Sequence, residues 1–590
     1  MTNSLKTPRH LSQSAGAFYF ASSIFYACWT ALRAWNDQLS VPYVDHWAWL
    51  HKYFTQPLGT VLWEGHNGHR IPIPGIFFTA DIELFGGQNK FLFYCNWLFW
   101  ILFAILFVRE IFRERTLSTA KRYVLSGYSL FWIFSARQYK NMIWGWETHM
   151  FLSCMTMFIA LRCVASLKDS IEERRRGRPS VLLAATIAVS IITNFSFGSG
   201  LFIWVAVFTV AILHRLPLRY ILALISASIA ATGLYFSDLA TGRPGLFSRL
   251  LNEPTGVLKF FLMYLGAPAS SMVRRYGISG AEVAPVAASM VLGAIGLLIS
   301  IILLVLELRT SWRGKKASRL RVVMLGVVVF VLTTGFATAM VRKELHALAP
   351  RFGAFKSMFW AAILVALATH IWSAPRRRKP AIAGLTAILL LAPPLLTIQQ
   401  VAYFKPWKHL ELRNSASALA YVVDVRDETS DSTLHPNHPR LVAPTMKYLK
   451  ERGLNLFAEK PGAPLGHALH ELLSKAASNT CLGKVTSVIP LSDPDLGAVK
   501  MIGWAWNERT SSPVERLLIL DDETRVIGLA RWSGKPPHRE AARLTGEADA
   551  AWSTWQGYAK GVSSGLQLKV VGILPDQETF CELWSKPSEH

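Results

Sequence analysis

The feature that most constrains the fold of this chain is a succession of apolar runs of helical length. They fall near residues 15–35, 91–108, 123–136, 149–167, 181–195, 200–214, 220–236, 285–308, 321–340, 357–373 and 381–402. A helix needs about 20 residues to cross some 30 Å of hydrocarbon, and a backbone in lipid must satisfy its hydrogen bonds internally. The runs therefore predict a polytopic α-helical membrane protein with about eleven spans, the shorter runs having soft boundaries. Residues 257–272 offer a twelfth, but Pro268 and the following Arg274-Arg275 suit a surface or re-entrant helix better. Composition agrees: 52% of the 590 residues are hydrophobic, only 17% are charged, and mean hydropathy is +0.29. That is too apolar for a soluble protein of this size.

The formal charge of +24 raises the question of a nucleic-acid partner, and the position of the charge answers it. From residue 403 onward 22 Lys+Arg face 22 Asp+Glu, so the whole excess belongs to the first 402 residues. There the basic residues gather at the N-terminus and in short gaps after every second run, as in Arg109 to Arg122, Lys168 to Arg178, Arg309 to Arg321 and Arg376 to Lys379. This is the positive-inside pattern and reports topology, not nucleic-acid binding. It predicts a cytoplasmic N-terminus, a first run acting as a signal anchor and, with an odd span count, an extracytoplasmic C-terminus.

The polar tail divides into a helical connector over 403–474 and a strand-rich region over 475–590, expected to be a small β-sandwich that ends an extracytoplasmic α+β region. Residues 514–520 and 525–530 are β-rich and flank the turn Asp521-Asp522-Glu523-Thr524. No metal motif, catalytic triad or phosphate-binding glycine loop occurs in the tail, which points to a binding or scaffolding module. Cys481 and Cys581 are its only cysteines. In an oxidising compartment they are candidates for a disulfide closing a loop of about 100 residues, the alternative being two buried thiols.

Residues 1–402 are expected to form one transmembrane domain whose first outward loop, 36–90, carries the chemistry. Asp37 and Asp45 follow the first run, with His46-Trp47 directly after Asp45. A partly desolvated carboxylate at the interface can take a proton from an incoming hydroxyl, although Asp45 is equally placed to cap a short helix over 46–54. Further along, His66, His69 and Arg70 are bracketed by Gly65 and Gly68. Two histidines three apart could share a metal, but Gly68 and the lack of a third ligand nearby favour phosphate recognition or plain loop packing. A second loop carries Arg137, Gln138 and Trp144, suited to a sugar- and phosphate-binding wall or to membrane anchoring. A third carries Arg351 close to a span, and Phe197-Gly198-Ser199-Gly200 permits close backbone approach.

Taken together, Pro42-Tyr43-Val44-Asp45-His46-Trp47, His66-Asn67-Gly68-His69-Arg70, Arg137-Gln138 with Trp144-Gly145, and Phe197-Gly198-Ser199-Gly200 resemble a group of bacterial membrane proteins of the GT-C superfamily, the polyprenyl-phosphate-sugar-dependent glycosyltransferases. The resemblance covers most of residues 15–400. It implies a GT-C-like fold in the bacterial inner membrane with a periplasmic C-terminal domain, a catalytic Asp45 with Asp37 as runner-up, and a sugar donor carried on polyprenyl phosphate. His66, His69, Arg70, Arg137, Gln138, Trp144 and Arg351 would bind donor phosphate or substrate. The acceptor would be an envelope glycan or lipid such as lipopolysaccharide, transfer would invert the anomeric centre, and no cofactor is fixed, with a divalent metal left open. The chain lacks the adjacent Asp-Glu pair of protein O-mannosyltransferases and the long acidic loops of oligosaccharyltransferases, which turns the expectation away from protein glycosylation. The alternatives are an O-antigen polymerase or ligase, and a flippase or transporter of lipid-linked sugars.

Overall fold

The computed structural model describes residues 9–174, 177–239, 248–275, 283–373, 379–473, 475–476, 481–492, 497–534, 538–563, 566–576 and 578–585. It is mostly helical, with a strand-rich C-terminal region. Eight helices among the described residues are long and apolar enough to cross a membrane: Gln13–Asn36, Lys90–Arg113, Gly145–Glu172, Leu218–Phe236, Pro285–Trp312, Arg319–Val341, Pro350–Trp372 and Lys379–Val401. The count of about eleven is thus not reached. Three of the expected spans are shorter helices, Thr119–Ile133, Arg178–Asn194 and Gly198–Leu213. At 1.5 Å per residue, 15 to 17 residues extend only about 22–26 Å.

The chain forms two compact units. One comprises Met1–Asn36, Leu62–Phe77 and Leu92–Phe404; the other comprises Asp37–Val61, Phe78–Phe91 and Lys405–His590. The loop over 36–90 is therefore divided, and the segment carrying Asp37 and Asp45 clusters with the C-terminal residues rather than with the helices.

In the helical unit, close approaches between helices fall at small residues. Gly266 and Gly293 sit where Pro254–Arg275 and Val283–Trp312 touch backbone to backbone. Buried acids are paired: Glu110, 1% exposed, receives Arg162 at 2.8 Å and Arg319 at 2.6 Å, and Glu307 pairs with Arg321. Arg319 and Arg321, from the basic gap at 309–321, thus neutralise acids near the ends of the spans together with Arg162, as burial of a charge requires.

In the other unit, nine strands form one sheet: β1 Lys475–Ala476, β2 Cys481–Pro490, β3 Val499–Asn507, β4 Ser512–Pro513, β5 Arg516–Leu520, β6 Val526–Trp532, β7 Thr554–Ala559, β8 Lys569–Ile573 and β9 Thr579–Ser585. The order is β1-β9-β8-β5-β6-β7-β3-β2, with β4 beside β3, and every pairing except β1 with β9 is antiparallel. The expected two-sheet sandwich is instead a single sheet curved into a half-barrel. Side chains alternate across β5: Leu517 and Ile519 join a core with Met501, Trp555 and Val570, while Leu518 and Leu520 join one with Leu419, Val423 and Leu473 from the helical connector. A sheet whose second face is covered by helices needs no second sheet. The expected turn over 521–524 joins β5 to β6, with Asp521 N–H donating to the Arg525 carbonyl at 3.1 Å. Cys481 on β2 and Cys581 on β9 form a disulfide.

Candidate functional site

Helix Asp45–Thr55 forms because its apolar residues share one face: His46, Trp47, Trp49 and Leu50 are buried. Trp47 packs with Val41, Leu434, Val442 and Met446, and Trp49 meets Phe78 edge-on at 5.2 Å. The cap position is taken by Val44, not Asp45, with φ 47° and ψ −119°. That region is costly for a β-branched residue and persists only where its surroundings enforce it. Here the Val44 N–H donates to the Leu434 carbonyl at 3.3 Å. Asp45 is the first helical residue, and among the described residues no hydrogen bond or ion pair engages its half-buried carboxylate. The capping role open to it in the sequence is therefore not the one it takes. Asp37 is buried, 6% exposed, and engaged.

The charge of Asp45 reaches His435, which directly follows Leu434 and is fully buried. Burial holds the His435 imidazole below the ordinary histidine pKa, the charge of His438 adds to that, and Asp45 opposes it. Its Nδ1 accepts the His438 backbone N–H at 3.2 Å, which leaves the proton of the neutral ring on Nε2. Nε2 is buried and has no hydrogen-bond partner among the described residues.

The helix that presents His435, Glu428–Leu434, is pinned to the sheet by a buried polar network. Its cap Asp427 accepts from Lys500 Nζ at 2.6 Å, Tyr558 OH at 2.8 Å and Ser430 Oγ at 2.9 Å. Burial opposes ionisation of Asp427, but the hydrogen bonds from Lys500, Thr429 and Tyr558 and the Lys500 charge outweigh it and hold the carboxyl well below its usual range.

In the helical unit the remaining motifs meet in two groups. His66-Asn67-Gly68-His69 is a two-residue turn with reciprocal backbone hydrogen bonds of 2.8 and 2.9 Å between the histidines, and φ of 52° at Asn67 and 80° at Gly68. Positive φ at both central residues is the conformation that Asn-Gly favours. The turn delivers His66 to Trp146, 5.0 Å between ring centres, and His69 to Phe197 at 6.3 Å, while His149 links Trp146 and Phe197. A side chain at Gly198 would collide with the His69 ring. Arg70, 1% exposed, lies over Trp63 at 4.4 Å, donates to its carbonyl at 3.0 Å, and its backbone N–H meets the Tyr235 hydroxyl at 3.2 Å. This holds the guanidinium against an aromatic wall.

The second group is cationic. Arg137 is buried, donates to the Ala267 carbonyl and lies 5.8 Å from the Tyr403 ring centre. Gln138 is fully buried, donates to the Ile133 carbonyl at 2.6 Å and has Gly353 against it. The Arg351 carbonyl accepts from Asn141 at 3.0 Å, and the Arg351 guanidinium sits by His346 Nδ1 at 3.4 Å and the Phe352 ring at 5.2 Å. Trp144 is buried under the Lys140 ammonium, 5.0 Å from its ring centre. At the centre is Lys356, missed in the sequence reading, 1% exposed and donating to the Ala347 carbonyl at 2.7 Å and the Ala349 carbonyl at 3.2 Å. Its ammonium lies 5.2 Å from the Tyr264 ring centre, and the charges of Arg137 and Arg351 both reach it. The apolar run at 357–373 leaves Lys356 just outside, whereas the helix begins at Gly353 and takes it in, and a lysine within a membrane-length helix is a functional candidate by default.

Arg137 and Lys356 are buried while Arg351 is only half-buried, and the charges of both arginines reach Lys356, so an anion placed among these groups would offset their mutual repulsion. Among the described residues no group of three or more His, Cys, Asp or Glu is placed to hold a metal ion. No protein-family model, curated protein or solved structure matches the chain.

Proposed function

We propose that the protein is a GT-C-like glycosyltransferase of the bacterial inner membrane that moves one sugar from polyprenyl phosphate to an envelope glycan or lipid on the outer face. The observation that carries this reading is the convergence of Arg137, Arg351 and Lys356 in the membrane-spanning unit. An anion with an apolar tail suits such a group, because its tail partitions into lipid while its phosphate neutralises the cations. Asp45, whose half-buried carboxylate no hydrogen bond or ion pair engages among the described residues, supplies the base. It takes the proton of the acceptor hydroxyl as that oxygen attacks the anomeric carbon. The bond from that carbon to the phosphate oxygen breaks, giving inversion, and the phosphate leaves with the polyprenyl chain.

The test is to supply purified protein with a panel of polyprenyl-phosphate monosaccharides and extracted envelope glycan, and to measure released polyprenyl phosphate together with labelled glycan. Both products should appear in equal amounts with one donor class. No release from any donor by folded protein contradicts the reading, and transfer from pyrophosphate-linked glycans alone replaces it with a polymerase or ligase.

A further inference from the structure

We propose that Asp45 and His435 form a coupled acid–base pair in which the Nε2–H of His435 orients the Asp45 carboxylate, so that His435 is a positioning residue for the base. The two residues are 390 positions apart, yet each directly follows a partner in one backbone hydrogen bond, Val44 N–H to the Leu434 carbonyl at 3.3 Å. That bond sets the start of helix Asp45–Thr55 beside the end of helix Glu428–Leu434, and Val41, Trp47 and Leu434 pack around it.

Three observations converge on this pair. The His435 ring is fully buried, with its tautomer set by the 3.2 Å hydrogen bond from His438 N–H to Nδ1. Its remaining donor, Nε2–H, is buried without a partner among the described residues, a costly arrangement that a functional contact explains. Asp45 has an unengaged carboxylate, and it follows a residue held in a strained conformation. The charged groups that reach the ring are Asp45 and His438; the carboxylate of Asp431, one turn earlier, is taken up by Tyr421. When an acceptor approaches, one Asp45 oxygen accepts from Nε2–H and the other takes the hydroxyl. The hydroxyl proton passes to Asp45, and His435 keeps its own proton throughout.

The catalytic half of this assignment rests on the glycosyltransferase reading, whereas the pairing itself does not. The test is therefore a titration of the imidazoles of the full chain in detergent by nitrogen-15 NMR, with His435 identified by loss of its signal in His435→Gln. Asp45→Asn should move the His435 midpoint to lower pH, since an opposite charge is removed, and His438→Asn should move it to higher pH. An unchanged midpoint in folded Asp45→Asn overturns the pairing, whatever the protein transfers. With an accepted donor, His435→Gln, which keeps an N–H, should retain more kcat than His435→Leu at unchanged KM. Equal kcat in wild type and both variants overturns the positioning role. If wild type accepts no donor, the glycosyltransferase reading fails and the titration alone decides the pairing.

Discussion

Cys481 on β2 and Cys581 on β9 are covalently joined between the last strand of the sheet's hydrogen-bonded path and the strand next to its other end. The bond thereby closes the half-barrel over the core of Met501, Leu517, Ile519, Trp555 and Val570. Cross-linking residues 100 apart restricts the unfolded chain strongly, by about 4–5 kcal/mol in chain-entropy models. Replacing both cysteines by serine should lower the unfolding free energy of the C-terminal unit by about that amount, measured by denaturant titration of tryptophan fluorescence in the full chain. A double variant as stable as wild type would show that the sheet closes without the bond.

Lys500 and Asp427 make a second test of how that unit is held. Both side chains are nearly inaccessible, 8% and 4% exposed, so removing the cation leaves a buried anion unpaired. Lys500→Met should cost about 3–5 kcal/mol at neutral pH. Because the folded pKa of Asp427 is depressed, its stabilising contribution is present above the unfolded carboxylate value and is lost as pH falls through the folded value. The gap between wild type and Lys500→Met should therefore narrow below about pH 4, which paired thermal melts across pH would record.

Gly68 and Gly198 separate two uses of glycine near the same histidines. Gly68 has φ 80° with open space around a would-be Cβ, so Gly68→Ala should cost only the left-handed penalty of about 1–2 kcal/mol. Gly198 faces the His69 ring, and Gly198→Ala must displace it together with its contact to Phe197. Thermal stability should fall more in Gly198→Ala than in Gly68→Ala; the reverse order would contradict the described packing.

Lys356→Met should leave insertion intact while lowering kcat/KM for a polyprenyl-phosphate donor roughly 10–100-fold, the loss of a charge-assisted contact to phosphate. Steady-state transfer at varied donor concentration checks this. Unchanged donor kinetics would remove Lys356 from the phosphate site.

Much of the architecture was legible in the chain. Apolar run length identifies the membrane helices, and it overcounts where 15 to 17 apolar residues make a helix too short to cross alone. The pattern Leu517 to Leu520 is apolar without alternation, which already signals a strand buried on both faces. Without the connector helices in view it reads as a sandwich. Asn67-Gly68 is a turn signature between the two histidines, and Lys356 directly precedes the apolar run at 357–373. The proximity of Asp45 to His435 could not be read from the sequence, because no local pattern encodes a contact spanning 390 residues that depends on Val44 pairing with Leu434.

Asp45→Asn tests the proposed role of Asp45 as the base of a sugar transfer from polyprenyl phosphate, because the amide keeps the shape and loses the proton acceptor. With the accepted donor, wild type should transfer sugar to envelope glycan, and Asp45→Asn should fall by about a hundredfold or more while melting at the wild-type temperature. Wild-type turnover in a folded Asp45→Asn protein would contradict the account.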